Sequence, residues 1–315
     1  CGLYGLKPGY GTLSRYGLVA YGSSPDQIGV IGRDPADLGL IMSVAAGRDP
    51  KDSTSREFDT KDFYPLKPIN IKGLKVALPK ELNGEGIDKT VRTATLGFVD
   101  WLKNEGAIVK EISIPELAHT VAIYYIIAPA EASSNLGRYD GIEYGLRAED
   151  PELMRMYYST RTKGFGSEVK RRIFLGNYVL SSGYYDAYYK KAQTVRSLLM
   201  REFNEVLADA DIILSPTSPT PPFKLGEKLD NPVTMYLQDI CTIYANLTGL
   251  PALSIPVGTT GADGTTGTDG TTGTAGLPVG VQIAGRMDKE ALLLKIAAAW
   301  HQCNADTTCK SGGAA

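Results

Sequence analysis

The chain has 315 residues, of which 43% are hydrophobic and 22% charged, and its formal net charge at pH 7 is −2. These values are typical of a folded globular protein, and the length is enough for one large α/β domain or two smaller ones. The small net charge excludes an overall basic field that would hold nucleic acid by itself. The longest apolar run, residues 121–130, is far shorter than the roughly 20 residues of a membrane-spanning helix.

The chain begins with Cys1 rather than Met, and no leader pattern follows. We therefore expect no signal peptide and interpret the chain as a fragment, a processed product or the product of a partial gene. The cysteines, at positions 1, 241, 303 and 309, form no CxxC pair and no metal-ligand spacing. This usage favours a reduced cytoplasmic protein, with a bridge between Cys303 and Cys309 as the alternative.

The first half of the chain predicts loops and then a strand–helix–strand unit. Glycine and turn signals dominate residues 1–33, and Asp34, Pro35 and Gly47 suit the start and end of a helix. Strands are predicted over 74–78 and 107–112, which favours a parallel pair with a right-handed crossover. The helix between these strands begins after Asp88, ends at Gly106 and has as its apolar face Val91, Leu96, Phe98, Val99 and Leu102.

The second half predicts further helices and strands. Helices are expected over 116–135, 183–208, 234–247 and 288–303. Strands are expected over 211–216, 253–257 and 279–284. The helix over 183–208 has a predicted buried stripe of Tyr185, Tyr188, Val195, Leu198, Leu199, Phe203 and Val206.

A segment rich in threonine and glycine, residues 258–276, separates the last two predicted strands. It cannot bury apolar area, so we expect a flexible loop that lengthens a hairpin. Asp263 and Asp269 in this loop do not follow the known calcium-binding repeats. Residues 304–315 are expected to form a disordered tail.

Two distant segments carry opposite charges that suit one ligand. Residues 164–173, GFGSEVKRRI, offer a guanidinium, and residues 235–240, MYLQDI, offer the carboxylate of Asp239. A fixed cation and a fixed anion can hold the two charged ends of a free amino acid, and arginine pairs with a carboxylate through two hydrogen bonds. The alternative is that these residues are solvated helix charges.

The sequence shows no convincing pair of nucleophile and base. The two histidines, His119 and His301, lie in predicted helices, and the serine pairs Ser23–Ser24 and Ser133–Ser134 lack a glycine-rich setting that would supply oxyanion donors. There is also no Walker A motif, no Rossmann glycine pattern and no zinc spacing.

Several short motifs resemble one known family. They are GLKPGYG (5–11), SRYGLV (14–19), SSPDQIG (23–29), DPKDSTS (49–55), EASSNL (131–136), SSGYYDAYYKK (181–191) and GLPVGVQ (276–282). On these motifs the chain resembles the amidase signature family, and within it the A subunits of aspartyl/glutamyl-tRNA amidotransferases. The resemblance covers nearly everything except the threonine/glycine loop and the last dozen residues.

The resemblance implies a fold and an activity. The expected fold is α/β, with α/β/α layers around a large mixed sheet, as one domain over residues 1–303 that lacks its N-terminal part. The expected activity is hydrolysis of glutamine, with the ammonia passed to a partner subunit that converts Glu-tRNA(Gln) or Asp-tRNA(Asn) to the amide. The implied partners are the B and C subunits, tRNA would bind only through the complex, no membrane is involved, and ATP and Mg²⁺ would be used by the partner subunit.

The resemblance also implies roles for individual residues. Family members use a serine nucleophile, a second serine and a lysine base, which we expect upstream of Cys1, so that this chain alone is inactive. Lys7 matches the segment after the nucleophile and is not the base. Arg172 corresponds to the residue that binds the α-carboxylate of glutamine, and Asp239 to the residue that binds the α-ammonium. Either Tyr124 or Tyr125 corresponds to a pocket tyrosine.

Three interpretations of function remain open from the sequence. The first is the glutaminase subunit of an amidotransferase in the bacterial cytoplasm, or in a mitochondrion or chloroplast. The second is a stand-alone amidase for small amides, which needs no clamp for a zwitterion. The third is a non-catalytic fragment or a paralogue that only binds a partner.

Overall fold

The computed structural model describes residues 1–84, 86–223, 235, 237–260, 266–267 and 276–305. The chain divides into two compact units. The sheet unit comprises residues 1–16, 27–121 and 199–315, and the helical unit comprises residues 17–26 and 122–198. That residues 1–303 form one domain stays a prediction.

The strands all belong to the sheet unit. In chain order they are β1 (Tyr4–Lys7), β2 (Val30–Gly32), β3 (Lys75–Pro79), β4 (Ile108–Ile112), β5 (Ile212–Pro216), β6 (Ala252–Thr260), β7 (Thr266–Gly267) and β8 (Pro278–Gly285). Within the described part of the chain these eight strands form one sheet, in the order β2-β1-β6-β8-β5-β3-β4, and β7 pairs with β6.

The sheet is mixed, as predicted. Strand β3 runs parallel to both β4 and β5. The pairs β1–β2, β1–β6, β5–β8 and β6–β8 are antiparallel. The predicted parallel pair on either side of a helix, β3 and β4, is therefore confirmed, and so is the predicted antiparallel pairing of the last two long strands.

The helices lie between or after the strands along the chain, and those of the sheet unit pack against the sheet. They are α1 (Pro35–Ala45), α2 (Lys89–Asn104), α3 (Thr120–Asn135), α4 (Leu153–Gly164), α5 (Ser167–Leu180), α6 (Lys191–Asp209), α7 (Ile243–Thr248) and α8 (Glu290–Ala305). A π-helical segment, Tyr185–Lys190, precedes α6. Along the chain, α3 begins in the sheet unit and continues into the helical unit, whereas α6 does the reverse.

Two helices begin at the predicted caps. The carboxylate of Asp34 accepts a hydrogen bond from the N–H of Ala36 at 2.8 Å, and that of Asp88 accepts from Thr90 at the same distance. Each bond satisfies one of the backbone donors that a helix leaves unpaired at its N-terminus. Beyond the end of α2, Gly106 adopts a left-handed conformation with φ of 89°, which favours glycine.

Helices pack on both faces of the sheet. On one face, Val281 and Ile283 of β8 share a core with Phe98 of α2, and the Phe98 ring lies 5.0 Å from that of Trp300 of α8. Successive side chains of a strand point to opposite faces, so Gln282 points the other way. There its amide donates to the hydroxyl of Tyr244 of α7 at 3.0 Å. These two packed faces confirm the predicted α/β architecture.

Three residues of the predicted apolar faces are exposed. Leu96 of α2 is 48% exposed, because it lies off the face formed by Val91, Phe98 and Leu102. In the predicted 183–208 helix, Tyr185 is 46% exposed and Tyr188 is 42% exposed. Here the prediction is wrong because residues 185–190 wind as a π-helix, whose wider turn shifts side chains off the expected stripe.

The helix predicted over 234–247 is interrupted. Residues 238–242 form turns, and the regular helix α7 covers only Ile243–Thr248. The hydroxyl of Thr242 donates to the carbonyl of Asp239 at 3.1 Å, a local bond that competes with the helical ladder. Residues 234 and 236 of this prediction lie outside the described residues.

The helical unit contains two helices that the sequence did not reveal, α4 and α5. Their apolar signal is weak, since α4 buries only Met156 and Thr160. Most of the threonine/glycine loop and the tail from residue 306 lie outside the described residues, although α8 extends to Ala305. No helix among the described residues is long and apolar enough to cross a membrane.

Truncating Leu102 tests the core beneath α2. Leu102 is completely buried, so Leu102→Ala removes packed methyl groups and leaves a cavity, and we expect a loss of about 2–5 kcal/mol in unfolding free energy. The matched control is Leu96→Ala on the same helix, which we expect to change stability by less than about 0.5 kcal/mol. Urea denaturation of the purified proteins measures both. Equal losses would contradict the assigned faces of α2.

Candidate functional site

The predicted cation Arg172 lies on α5 of the helical unit, beside an acidic residue of the same helix. Glu168 precedes it by four residues, a spacing that places both side chains on one helix face. The Nε of Arg172 donates to Oε1 of Glu168 at 2.9 Å. The other carboxylate oxygen of Glu168 lies 3.0 Å from Nη1 of Arg171, so two guanidinium groups share one carboxylate.

Two tyrosines enclose the guanidinium of Arg172. Its Nη1 donates to the hydroxyl of Tyr21 at 2.8 Å. Its Cζ lies 5.7 Å from the ring centre of Tyr21 and 5.9 Å from that of Tyr125. Cations at such distances from aromatic rings are attracted by the negative ring faces. We call the cluster of Tyr21, Tyr125, Glu168 and Arg172 the arginine site.

Of the two predicted pocket tyrosines, Tyr125 belongs to the arginine site and Tyr124 lies beside it. Tyr124 and Tyr125 are neighbours on α3, half-buried, with ring centres 5.0 Å apart and planes at 90°. The Tyr125 ring flanks the guanidinium, whereas Tyr124 influences Arg172 and Tyr21 electrostatically. Helix α5 comes close to α3 because Gly176 has no side chain: a Cβ there would lie 2.0 Å from the carbonyl oxygen of Pro129.

The guanidinium of Arg172 keeps a permanent positive charge. Burial alone would lower the pKa of Arg172, but the hydrogen bonds to Tyr21 and Glu168 raise that pKa above its ordinary value. Burial raises the pKa of Tyr21, while its hydrogen bond with Arg172 acts in the opposite direction. Tyr21 is therefore a neutral phenol near pH 7.

Arg172 still has donors to offer. A guanidinium has five N–H groups, and those on Nε and on one side of Nη1 have partners among the described residues. No bond from Nη2 to another described residue is found, and the side chain is 24% exposed. The Nη1–Nη2 edge can therefore bind a carboxylate through parallel hydrogen bonds.

The backbone of Tyr21 is fixed on both sides. Its N–H donates to Oδ2 of Asp26 at 2.8 Å, and the same oxygen accepts from the N–H of Gly22 at 2.9 Å. Its carbonyl accepts from the amide of Asn135 on α3 at 3.0 Å. Sequence reasoning missed Tyr21 because one tyrosine in a glycine-rich loop carries no pattern, whereas the spacing of Glu168 to Arg172 is readable.

Ser24, one of the serines weighed as a possible nucleophile, fastens this loop. Its hydroxyl donates to Oε1 of Glu131 at 2.7 Å, and its N–H donates to Oε2 at 2.8 Å. The hydroxyl also accepts from Nη1 of Arg196 at 2.6 Å. This serine thus ties residues 17–26 to α3 and α6. Ser133 donates to the carbonyl of Ala130 within α3.

The predicted anion, Asp239, belongs to the sheet unit. It is exposed and lies in the turn that precedes α7. Its pairing with Arg172 on one amino-acid ligand stays a prediction.

A second polar cluster, in the sheet unit, surrounds Lys7 at the end of β1. The Nζ of Lys7 donates to Oε1 of Gln27 at 2.5 Å, to the carbonyl of Leu250 at 2.6 Å and to that of Pro8 at 3.0 Å. Burial is the larger effect on the pKa of Lys7 and lowers it to about 7. The negative charge of Glu290 acts in the opposite direction and raises that pKa. Lys7 therefore fastens β1 to the segment before β6.

Glu290, the first residue of α8, lies near Lys7. It is completely buried, and its Oε1 accepts from the N–H of Gly9 and from the hydroxyl of Thr12, both at 2.9 Å. His301, near the other end of α8, lies 3.1 Å from the hydroxyl of Tyr4 and 3.8 Å from the carboxylate of Asp34. These contacts tie α8 to the loops around β1 and α1.

The sheet unit also has a largely apolar cleft of about 410 Å³. Leu3, Ile31 and Phe223 contribute apolar walls, and the hydroxyls of Thr217 and Ser254, 2.9 Å apart, lie on its lining. Among the described residues, no group of His, Cys, Asp and Glu is arranged to hold a metal ion.

A mixed sheet covered by helices on both faces defines the chain as an α/β protein. The sequence model of the family described as Amidase matches residues 1–294. The chain therefore belongs to the amidase family, which confirms the resemblance seen in its motifs.

The relatives agree with this placement. The chain is 48% identical over 303 residues to the A subunit of the glutamyl-tRNA(Gln) amidotransferase of Brevibacillus brevis, covering 96% of this chain and 59% of the relative. Its counterpart of the same name from Syntrophus aciditrophicus is 50% identical over 303 residues, covering 96% of this chain and 60% of the relative. The chain thus spans about three fifths of the length of the curated relatives it matches.

Solved structures show the same fold. The A subunit of the glutamyl-tRNA(Gln) amidotransferase of Thermotoga maritima is 38% identical with a TM-score of 0.68, covering 94% of this chain and 57% of that one. A 6-aminohexanoate cyclic dimer hydrolase superposes with a TM-score of 0.72 at 20% identity, covering 98% of this chain and 62% of the other. The second likeness concerns the fold alone.

The buried amine of Lys7 predicts a pH-dependent contribution to stability. Its pKa is about 7 in the folded chain and 10.5 in an exposed lysine, so between these pH values the unfolded chain binds more protons. Unfolding free energy should therefore rise with pH across this window. We expect Lys7→Met to remove that rise, because all other titrating groups are unchanged.

Urea denaturation of both proteins at several pH values between 7 and 10.5 measures this difference. The relevant quantity is the change with pH in the stability of the original chain relative to Lys7→Met. An identical pH dependence for the two proteins would contradict the burial of the amine. Lys67→Met, on an exposed side chain, is the matched control and should leave the pH dependence unchanged.

Proposed function

We propose that the protein is the glutamine-hydrolysing subunit of a tRNA-dependent amidotransferase, and that the arginine site binds the α-carboxylate of glutamine. The observation that carries this proposal is the half-buried guanidinium of Arg172, which has two fixed partners and an edge still able to donate. The names of the relatives support it, since they are amidotransferase A subunits.

The chemistry of the site favours a carboxylate over a neutral amide. A bidentate pair between arginine and a carboxylate is charge-assisted and roughly twice as strong as a neutral hydrogen bond. A substrate without a carboxylate would leave the Nη1–Nη2 edge of this partly desolvated cation without an anionic partner, which is costly. A stand-alone amidase for small amides has no need for such a cation. Binding of a ligand with a carboxylate therefore distinguishes the glutaminase subunit from the stand-alone amidase.

The residues of this chain would bind and orient the substrate. The proposed reaction is hydrolysis of the side-chain amide of glutamine through an acyl-enzyme, with release of glutamate and ammonia. The proposed destination of the ammonia is Glu-tRNA(Gln) or Asp-tRNA(Asn), amidated at a site on a partner subunit. The chain contributes Arg172 to this scheme, with the tyrosines beside it, and the resemblance assigns the α-ammonium to Asp239.

The proposed assembly follows from the names of the relatives, each of which is a subunit of a larger enzyme. We propose that this chain acts with B and C subunits, that ATP and Mg²⁺ are used by a partner subunit, and that tRNA is reached only through the complex. A cytoplasmic location is part of the same proposal.

Substituting Arg172 tests the proposed carboxylate contact. We expect Arg172→Met to weaken glutamine binding about 10- to 100-fold, because hydrogen bonds to charged groups typically contribute about 1.5–3 kcal/mol. The control is Arg171→Met, since Arg171 is more exposed and shares the same Glu168. Isothermal titration of the purified chain with glutamine measures both affinities. Equal effects of the two substitutions, or no binding by the unaltered chain, would reject the proposal.

Asp239 allows a separate test that uses a ligand without an amine. We expect Asp239→Asn to weaken binding of glutamine while leaving glutaramate, which has the carboxylate and the amide but no ammonium, unaffected. The reason is that only glutamine offers a cation to that carboxylate. Asp100→Asn, on an exposed residue of α2, is the control. Parallel titrations with the two ligands measure both affinities. An equal loss of affinity for glutamine and glutaramate would contradict the assignment of Asp239 to the α-ammonium.

A further inference from the structure

We propose that Tyr21 is a positioning residue, which holds the guanidinium of Arg172 in the orientation that binds the carboxylate of the substrate. The proposal rests on the proposed function, because it assumes that this guanidinium meets a carboxylate. It gives a role to a residue of the arginine site that lies on a separate stretch of chain, residues 17–26. The contact that defines the role is the hydrogen bond of 2.8 Å from Nη1 of Arg172 to the phenolic oxygen.

A guanidinium held only from its own helix would be poorly fixed. Glu168 sits on α5, as Arg172 does, and its side chain is 45% exposed. Exposed ion pairs of this kind restrain long side chains weakly. The bond to Tyr21 reaches a different nitrogen from a different segment of the chain. Two contacts, at Nε and at Nη1, fix the plane of the guanidinium and therefore the direction in which its remaining edge points.

Tyr21 can serve as a fixed point because its own position is determined. The N–H of Tyr21 donates a hydrogen bond to Asp26, and the carbonyl of Tyr21 accepts one from Asn135. The backbone is therefore held on both sides of the side chain. Three residues further on, Ser24 is bonded to Glu131 and Arg196. The loop that carries the phenol is thus tied to two helices by side-chain hydrogen bonds.

A neutral partner preserves the charge that a carboxylate ligand requires. Glu168 supplies one negative charge, and Arg171 shares it with Arg172. A second acidic partner would neutralise the cluster, and an incoming carboxylate would then meet no net positive charge. A phenol accepts a hydrogen bond without adding charge, and burial, which raises the pKa of Tyr21, keeps it neutral. The choice of tyrosine therefore fits positioning together with anion binding.

The first test compares ligands that differ only in the carboxylate. Tyr21→Phe keeps the ring over the guanidinium and removes the hydroxyl. We expect glutamine affinity to fall about five- to tenfold, as for one lost hydrogen bond, while affinity for glutaminamide, whose carboxylate is blocked, stays unchanged. The control is Tyr158→Phe, on an exposed tyrosine of α4 in the same unit. An equal fall for both ligands would indicate general damage to the loop and would overturn the proposal.

The second test observes Arg172 directly and needs no ligand. In protein labelled with ¹⁵N-arginine, the Nε–H signal of Arg172 is assigned by its loss in Arg172→Lys, and its exchange with solvent is measured. We expect exchange to be faster in Tyr21→Phe than in the unaltered chain or in Tyr158→Phe. Unchanged exchange would overturn the proposal. If the unaltered chain fails to bind glutamine, the proposed function falls, and the exchange measurement still decides whether Tyr21 holds Arg172.

Discussion

The structure depends first on strands that are covered on both faces. All five residues of β5 are buried, and β8 is buried from Val281 to Gly285. Such strands must pair all their peptide groups within the sheet and must pack side chains above and below it. Strand β5 lies between β3 and β8, so it has a paired neighbour on each side, and helices cover both faces of the sheet. The arginine site, by contrast, lies on helices and a loop of the helical unit.

The arginine site follows from a second constraint, the cost of removing a charge from water. A partly buried guanidinium is tolerated only when several of its donors are satisfied, and here a carboxylate and a phenol satisfy them. The close contact of α5 with α3 at Gly176 brings the Tyr125 ring beside the same group. In the proposed function, this placement and partial desolvation favour an anion over a neutral polar ligand at Arg172.

Much of the sheet unit could be predicted from its sequence, because capping residues and apolar runs report directly on local structure. Asp34 and Asp88 cap helices as expected, and β3, β5 and β8 lie where the apolar runs are. The sequence was less informative where distant contacts decide the outcome. Tyr185 and Tyr188 fit a helical stripe but wind into a π-helix, and α4 has too few buried residues to produce a periodic pattern.

The candidate site could be predicted only in part, because it too depends on contacts between residues that are distant in sequence. Arg172, Tyr124 and Tyr125 came from motifs, and the spacing of Glu168 is visible in the sequence. Tyr21 was invisible, because its significance lies entirely in a contact with a residue 151 positions away.

That separation has a consequence for how the molecule reaches its native state. Closing a chain segment of this length is entropically unfavourable, and contacts between residues so far apart tend to form slowly. The bond between the loop and α5 also joins two pieces of the helical unit that are not continuous in sequence. We therefore expect competence for ligand binding to appear late during refolding, after most helical structure has formed. A nascent chain would acquire its affinity only once synthesis had passed α5.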